Sequence, residues 1–303
     1  MIVARTIPEA RAALSELPRP LGLVPTMGAL HTGHLSLVDA ARARCASVAA
    51  SVFVNPTQFG RGEDFDTYPR DEARDLGLLE EAGVAVVFTP TADEMYPEGF
   101  ATVVHVGGRL TEDFEGGSRP THFDGVAVIV TKLLGVVQPD VLLLGEKDAQ
   151  QLAVVRRFAR DLDLPVEVVG APTLREPDGL AMSSRNVYLT PDERAVAPDL
   201  YRALLAGAAA AGQPGAAAKD VVVAATAALL IPPGGLDPDA VDELLSRPHF
   251  KLDYLAVVDE DTFIPEGDLG PRSRLIVAAR LGSTRLIDTI SVSSAYPAKD
   301  ATA

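Results

Sequence analysis

The stretch Pro25-Thr26-Met27-Gly28-Ala29-Leu30-His31-Thr32-Gly33-His34 is the part of the chain around which the rest is organised. It follows the apolar run 21–24 and precedes apolar residues at helical spacing, namely Leu35, Leu37, Val38 and Ala41. An apolar run, a turn with glycine and a helical pattern predict a strand, a turn and a helix in that order. The two histidines stand where this helix is expected to begin.

The predicted helix start is a candidate anion site. The first turn of a helix offers unpaired N–H groups and the positive end of the helix dipole, and both favour a phosphate. His31 and His34 are three positions apart, so both rings can lie on one face of that turn. Gly33 has no side chain, so a phosphate or a base can approach the backbone closely. We therefore expect this turn to bind a phosphate-bearing ligand.

Short apolar runs alternate with helical patterns over the first part of the chain. This alternation predicts an α/β fold over residues 1–185, a Rossmann-like parallel sheet with helices on both faces. Proline and glycine linkers between helices, followed by strand candidates, predict a smaller α+β C-terminal domain over residues 186–303. The expected strands are 21–24, 47–54, 84–88, 102–106, 141–144, 166–169, 252–258, 274–279 and 285–291, and the expected helices are 8–17, 34–46, 70–82, 125–137, one from about 148, 192–211, 216–230 and 237–247.

Polar residues follow the predicted strands of the first domain at their carboxyl ends. Asn55 and Gln58 follow the strand 47–54, and Gly145-Glu146-Lys147-Asp148, with Gln151 beyond it, follows the strand 141–144. Ligands of open parallel sheets collect at the carboxyl ends of the strands. We expect these residues to surround one site, with the loop 182–185 as a further wall. The chain has neither a Walker loop nor a G-x-G-x-x-G fingerprint.

The composition limits the function classes. The chain has 303 residues, of which 47% are hydrophobic and 23% charged, as in a soluble globular protein. A formal net charge of −15 argues against a nucleic-acid partner, which would need a basic stripe. The apolar run 221–231 is too short to cross a bilayer, and residues 1–5 lack a signal-peptide pattern. With Cys45 as the single cysteine, we expect a cytoplasmic protein without a membrane partner.

Five motifs between residues 25 and 186 carry a family resemblance. They are P-T-M-G-A-L-H-x-G-H, V-N-P-x-Q-F, R-P-x-H-F, G-E-K-D-x-Q-Q and A-M-S-S-R-N, with a weaker match at Leu286-Ile287-Asp288. Together they resemble the pantothenate synthetase (pantoate–β-alanine ligase) family, which belongs to the nucleotidyltransferases that carry H-x-G-H. The resemblance implies that ATP and pantoate form pantoyl adenylate and pyrophosphate. The amine of β-alanine then displaces AMP to give pantothenate.

The same resemblance implies roles for the residues that bind ATP. Lys147 would stabilise charge on the α-phosphate, and His31 and His34 would donate hydrogen bonds to phosphate oxygens, with His34 the candidate proton donor to the departing pyrophosphate. Ser183, Ser184 and Arg185 would hold the outer phosphates, with the guanidinium as a fork of donors. The expected ATP-binding residues are Met27, His31, Gly33, His34, Gly145, Glu146, Lys147, Asp148, Leu174, Met182, Ser183, Ser184 and Arg185, of which His31, His34, Lys147 and Arg185 are the expected catalytic residues.

The other ligands follow from the same resemblance. Gln58, Gln151 and Asn55 are expected to bind pantoate, and Gln58 is also expected to reach β-alanine. Mg²⁺ would enter with ATP and be held through the phosphates, without a side-chain metal site, and no tightly bound organic cofactor is implied. The family is typically homodimeric, and we adopt that expectation here. Arg119 and His122 match the R-P-x-H-F motif but receive no role.

Several other interpretations stay open. The chain could be another H-x-G-H nucleotidyltransferase, although the glutamines would then be unexplained, or a non-catalytic nucleotide-binding sensor. A fragment of an aminoacyl-tRNA synthetase is disfavoured because the chain is short and acidic. Among single residues, Ser183 and Ser184 could cap a turn, and Asn55 before Pro56 could be a turn residue. The charged run 64–75 is most simply a solvated loop and helix face.

Overall fold

The computed structural model describes residues 1–60, 62–231 and 248–293. The chain divides into two compact units, Met1–Leu174 and Arg175–Ala303. The sequence pattern predicts a domain boundary near residue 185, later in the chain than this division. In the described ranges, no helix combines the length and apolarity needed to cross a membrane.

The strands form one parallel and one antiparallel sheet. They are β1 (Ile2–Ala4), β2 (Leu21–Thr26), β3 (Ser47–Val52), β4 (Val86–Phe88), β5 (Val141–Gly145), β6 (Glu167–Ala171), β7 (Phe250–Asp259), β8 (Ser273–Leu281) and β9 (Thr284–Ser291). The first unit contains the six-stranded sheet in the order β1-β4-β3-β2-β5-β6, and all its pairs are parallel. The second unit contains the antiparallel sheet β7-β8-β9.

Helices connect the strands of both units. They are α1 (Ile7–Ser15), α2 (Thr32–Arg42), α3 (Glu72–Glu81), α4 (Ala92–Met95), α5 (Arg109–Glu112), α6 (Glu115–Ser118), α7 (His122–Val137), α8 (Ala149–Asp161), α9 (Pro191–Val196), α10 (Asp199–Ala211) and α11 (Ala218–Leu230). Three further segments are single 3-10 turns, at Pro56–Gln58, Glu146–Asp148 and Ser184–Tyr188.

The parallel sheet is buried on both faces. On one face Val24, Ala50 and Leu143 pack against apolar side chains of α2 and α3, including Val38 and Leu79. Alternate strand residues, such as Leu23 and Leu142, are also fully buried and point to the opposite face, because side chains alternate along a strand. Helix α7 contacts α1 and α8, and these two helices also contact strands of the sheet. The predicted Rossmann-like sheet is confirmed.

The strand order fixes where a ligand can bind. From β2 the chain moves outward to β3 and β4, and it then returns to place β5 on the other side of β2. The connections after β2 and β5 therefore leave in opposite directions, and the carboxyl ends of these two strands border the crevice at the switch point. The P-T-M-G-A-L-H-x-G-H turn follows β2, and G-E-K-D follows β5. The topology thus places both motifs at the edge of one crevice.

The second unit has its own core. Leu204 of α10 and Val221 of α11 are buried with Leu275, Val277 and Leu286 of the antiparallel sheet. The expected smaller α+β domain is confirmed in these described residues.

Three local predictions differ from the structure or lie outside it. Residues 102–106 form no strand within the described chain; the segment runs exposed, with Val103 67% accessible, although its β-branched residues favour a strand. The helix expected over 192–211 is broken into α9 and α10 at Pro198, because proline lacks an N–H and its ring clashes with the preceding turn. The helix expected over 237–247 lies outside the described residues.

Candidate active site

The turn between β2 and α2 is held by a buried carboxylate. Gly28 and Ala29 have positive φ values of 80° and 50°, and the N–H groups of Ala29 and Leu30 point toward Asp75 of α3. Asp75, which is only 1% exposed, accepts hydrogen bonds from the N–H groups of Ala29 and Leu30, both at 2.8 Å. The expectation that the run 64–75 is solvated is therefore wrong at Asp75, because this carboxylate satisfies two backbone donors that the left-handed turn leaves unpaired.

The two histidines are oriented by the backbone at the start of α2. His31 is the N-cap, and its Nδ1 accepts a hydrogen bond from Gly33 N–H at 3.1 Å. His34 Nδ1 accepts from His31 N–H at 3.4 Å, and the ring centroids are 4.1 Å apart. A backbone N–H can only donate, so in each neutral ring the proton is on Nε2. The start of α2 therefore presents two imidazole Nε2–H donors.

The charge state of His34 follows from its surroundings. Burial, together with the charges of His31 and Lys147, lowers the pKa of His34 to about 3. Its ring is therefore neutral near pH 7 and can donate a hydrogen bond without carrying a charge. Lys147 is among the charges that lower this pKa, and it follows β5, the neighbour of β2 in the sheet. Lys147 has a side-chain exposure of 19% and lies 3.8 Å from Asp148 Oδ1.

Gln58 lies beside the β2–α2 turn. Its Nε2 donates to the sulfur of Met27 at 3.0 Å, and its Oε1 accepts from Asn55 Nδ2 at 3.1 Å. Each of these two atoms can make one further hydrogen bond. The structure thus brings together Met27 and Gln58, which were expected to contact different substrates.

Asn55, which is expected to bind pantoate, is bonded to residues within the protein. The side chain is 1% exposed, and its Oδ1 accepts hydrogen bonds from the hydroxyls of Tyr96 at 2.7 Å and Thr57 at 2.9 Å. Its Nδ2 donates to Gln58 and to the carbonyl of Gly125. These contacts use its hydrogen-bonding groups inside the protein, so the side chain positions Gln58.

The G-E-K-D-x-Q-Q motif separates into a turn and a helix start. Gly145 ends β5, Glu146, Lys147 and Asp148 form a 3-10 turn, and Gln151 lies in the first turns of α8, partly exposed. Gln150 beside it is buried, and its amide bonds the backbone of Leu110, Asp113 and Glu115. Only the second glutamine of the pair is available to a ligand.

The A-M-S-S-R-N motif belongs to the second unit. Ser183 Oγ caps the 3-10 turn Ser184–Tyr188 by accepting from Arg185 N–H at 3.3 Å, so the capping interpretation holds for this serine. Asn186 Nδ2 fixes the loop by donating to Glu176 Oε1 and to the carbonyl of Ala181. Met182, Ser183, Ser184 and Arg185 are all partly exposed, whereas Leu174, the last residue of the first unit, is 40% exposed.

The weak match at Leu286-Ile287-Asp288 has a structural explanation inside the second unit. Asp288 is 3% exposed and accepts two hydrogen bonds from the Arg175 guanidinium, at 2.6 and 3.0 Å. The same guanidinium stacks on the ring of Tyr201, 3.6 Å from its centroid. A paired and stacked arginine of this kind anchors the base of the loop that carries the A-M-S-S-R-N motif.

Sequence reasoning missed the residues that hold the candidate site residues in place by hydrogen bonds. Asp75 gave no signal because it stands in a charged run, and Tyr96 gave none because it stands alone in a loop. The R-P-x-H-F motif was the available signal for Arg119 and His122, whose side chains both reach the backbone carbonyl of Gln58.

Comparison with known proteins identifies the family of this chain. A family model described as pantoate-beta-alanine ligase matches residues 2–291. The pantothenate synthetase of Thermus thermophilus is 52% identical over 302 residues, covering 98% of this chain and 100% of the relative. That of Chloroflexus aggregans is 50% identical over 290 residues, covering 95% and 98%.

Solved structures give the same result. The crystal structure of pantothenate synthetase from Thermus thermophilus matches with a TM-score of 0.87 at 52% identity, over 97% of this chain and 100% of that one. A pantoate-beta-alanine ligase from Francisella tularensis, complexed with beta-gamma ATP and beta-alanine, matches with a TM-score of 0.75 at 30% identity, over 96% and 98%. The resemblance carried by the five motifs is confirmed, and the chain belongs to the pantoate–β-alanine ligase family.

Proposed function

We propose that this protein condenses pantoate with β-alanine in an ATP-dependent reaction. A carboxylate oxygen of pantoate attacks the α-phosphorus of ATP, the bond to pyrophosphate breaks, and pantoyl adenylate forms. The amine of β-alanine then attacks the acyl carbon, the bond to AMP breaks, and the amine gives up a proton as the amide forms. The observation that carries this proposal is the grouping of His31, His34 and Lys147 at the switch-point crevice of a chain of this family.

The first step needs positive charge and donors, because two anions must meet. We assign to Lys147 the stabilisation of charge on the α-phosphate as the oxygen attacks. We assign to the Nε2–H groups of His31 and His34 the donation of hydrogen bonds to phosphate oxygens. Since the pKa of His34 is lowered to about 3, we propose that His34 assists the departing pyrophosphate by a hydrogen bond and not by transfer of a proton.

Binding of the two acid substrates is assigned to the glutamines. Gln58 and Gln151 are neutral hydrogen-bonding residues, suited to the hydroxyl and carboxylate oxygens of pantoate without adding charge. Gln58 is also assigned to β-alanine. The proposed roles of Met182, Ser183, Ser184 and Arg185 in binding adenine and the outer phosphates rest on the A-M-S-S-R-N motif alone.

Magnesium would enter as part of the ATP substrate. Of the side chains proposed to face the phosphates, those of His31, His34 and Lys147 present N–H donors, which bind oxygens and not a metal cation. In the described ranges, no group of three or more His, Cys, Asp or Glu side chains is arranged to hold a metal ion. We therefore assign the ion to the phosphates, where it would screen their charge. We also propose that the protein is a homodimer and that it is located in the cytoplasm.

The proposal is tested by measuring the products of each step. With MgATP and pantoate alone, we expect pyrophosphate release limited to about one equivalent of enzyme, because the adenylate stays bound. Addition of β-alanine should give continuous release of pyrophosphate, AMP and pantothenate in equal amounts. Pyrophosphate release without pantoate would point to another H-x-G-H nucleotidyltransferase, and ATP binding without any release would point to a sensor. Sedimentation velocity measures the dimer separately.

A further inference from the structure

We propose that Arg119 and His122 are positioning residues that set the place of Gln58 in the substrate site. This inference rests on the proposed function only in taking Gln58 as a pantoate ligand. Both side chains donate hydrogen bonds to the same atom, the backbone carbonyl oxygen of Gln58: His122 Nδ1 at 2.8 Å and Arg119 Nη2 at 3.2 Å. A carbonyl with two directed donors has its peptide plane fixed, and with it the direction in which the Gln58 side chain leaves the backbone.

The contacts assign the tautomer of His122. A carbonyl oxygen accepts, so Nδ1 of His122 carries the proton. Arg119 Nη1 lies 3.2 Å from Nε2 of the same ring, and because a guanidinium only donates, Nε2 must be unprotonated. His122 is 7% exposed, and burial and the Arg119 charge lower its pKa to about 4. The neutral Nδ1–H form is therefore the one that holds Gln58.

Arg119 is itself fixed by a carboxylate. Glu63 accepts two hydrogen bonds from the guanidinium, at 2.8 and 2.7 Å, and the two side chains are 15% and 25% exposed. Burial by itself raises the pKa of Glu63. The hydrogen bonds and the charge of Arg119 outweigh this effect and bring the pKa down to about 2. Glu63 is thus ionised near pH 7, and the paired guanidinium keeps one donor for Gln58 and one for His122.

The backbone around His122 is adapted to this contact at a conformational cost. Thr121 has φ of 71°, a left-handed conformation that is unfavourable for a β-branched residue. One helical turn on, Gly125 packs so closely on the turn after β3 that an added Cβ would lie 2.7 Å from Gln58 N. The strained backbone at Thr121 and the missing side chain at Gly125 thus allow the ring of His122 to reach the carbonyl of Gln58. The side-chain amide of Gln58 in turn donates a hydrogen bond to the sulfur of Met27, which lies in the β2–α2 turn.

Two substitutions of His122 separate positioning from packing. His122→Asn places an amide N–H near the position of Nδ1, so the donor to Gln58 is retained. His122→Gln places its amide near Nε2, so that donor is lost. With saturating MgATP and β-alanine, we expect His122→Gln to raise the KM for pantoate about 10-fold, the effect of one lost hydrogen bond. We expect His122→Asn to stay within about 3-fold of the wild type, and the KM for ATP to stay within about 2-fold in both.

The outcomes decide between the inference and its alternatives. The inference would be overturned if the two variants had the same KM for pantoate, or if the KM for pantoate and the KM for ATP rose equally. Either result would indicate a loss of packing, which depends neither on the donor position nor on the substrate. If His122→Gln does not fold, Arg119→Gln decides the question, since it removes the second donor to Gln58 and should give the same pantoate-specific increase. His249→Gln, at an exposed position, is the control for loss of an imidazole.

A measurement without substrate tests the inference independently of the proposed function. The ring nitrogens of His122 in the ¹⁵N-labelled wild-type protein should show a protonated Nδ1 and an unprotonated Nε2 near pH 7. The opposite tautomer would overturn the inference even in an active enzyme. Conversely, absence of pyrophosphate release from the wild type would refute the proposed function while leaving the tautomer result standing.

Discussion

A Cβ atom on Gly125 would lie 2.5 Å from the carbonyl carbon of Thr57, so helix α7 and the turn after β3 fit together only because position 125 has no side chain. The carbonyl of Gly125 also accepts a hydrogen bond from Asn55, at 3.2 Å. The contact joins two segments that are distant in sequence, helix α7 and the turn that carries Gln58.

Replacing Gly125 should therefore damage the fold and the site together. We expect Gly125→Ala to lower the free energy of unfolding by about 3 kcal/mol or to prevent folding, because the methyl group must displace backbone atoms. Gly135→Ala is the matched control in the same helix, where an added Cβ has nothing within 4 Å. It should raise the free energy of unfolding by about 0.5–1 kcal/mol through helix propensity. Equal stabilities in urea denaturation would refute the close contact.

Gly145, at the end of β5, should behave differently. Its φ and ψ of −75° and 134° suit any L-residue, and an added Cβ meets no atom within 4 Å. Gly145→Ala should thus leave the free energy of unfolding within about 0.5 kcal/mol of the wild type. If ribose approaches the backbone here, the KM for ATP should rise about 10-fold while the KM for pantoate does not change. An unchanged KM for ATP would remove Gly145 from the nucleotide site.

Lys147→Ala should remove most of the adenylation activity. We expect single-turnover pyrophosphate release to slow by about 10²–10³-fold, as when one preorganised transition-state donor is deleted. Lys219→Ala, at an exposed position of α11, is the control for the loss of a lysine and should leave the rate unchanged. Removal of the ammonium charge should also raise the pKa of His34 in the variant, which an NMR titration can follow. Release near the wild-type rate would exclude Lys147 from the mechanism.

The buried neutral ring of His34 makes stability depend on pH. Its pKa in the folded protein is about 3, below the value near 6.5 expected of the unfolded chain. Between these values the unfolded state binds more protons, so the free energy of unfolding falls as the pH is lowered from about 6.5 toward 3, by up to about 1.4 kcal/mol per pH unit.

The variant His34→Asn isolates this effect. Asparagine does not titrate, so the stability difference between wild type and variant should grow as the pH rises from about 4 to 6.5 and stay constant above 7. Urea denaturation at several pH values measures it. The contribution of His122, whose pKa is lowered to about 4, remains in both proteins and cancels. Parallel stability curves for the two proteins would show that the His34 ring is not buried in its neutral form.

The local elements of this protein could be predicted from the sequence alone. Hydrophobic periodicity and glycine placement depend only on neighbouring residues, and they gave β2, the following turn and the start of α2 to within a few residues. The carboxyl-end rule of parallel sheets then predicted one site for the histidines and the G-E-K-D turn, and the strand order places both at the switch point. The sequence was insufficient where a strand needs a distant partner, as for residues 102–106, whose β-branched side chains favour a strand but which pair with none in the described chain.

Tertiary structure alone decided which polar side chains are bonded inside the protein and which are left partly exposed. The family resemblance selected Gln151 without a physical reason to prefer it to Gln150, and it treated Asn55 and Gln58 alike. Packing buries Gln150 and Asn55 and satisfies their amides inside the protein. The sequence could not indicate that His122 bonds a carbonyl 64 positions earlier. Periodicity follows from short-range backbone geometry, whereas the partner of a buried polar group depends on which distant segments the fold brings within hydrogen-bonding distance.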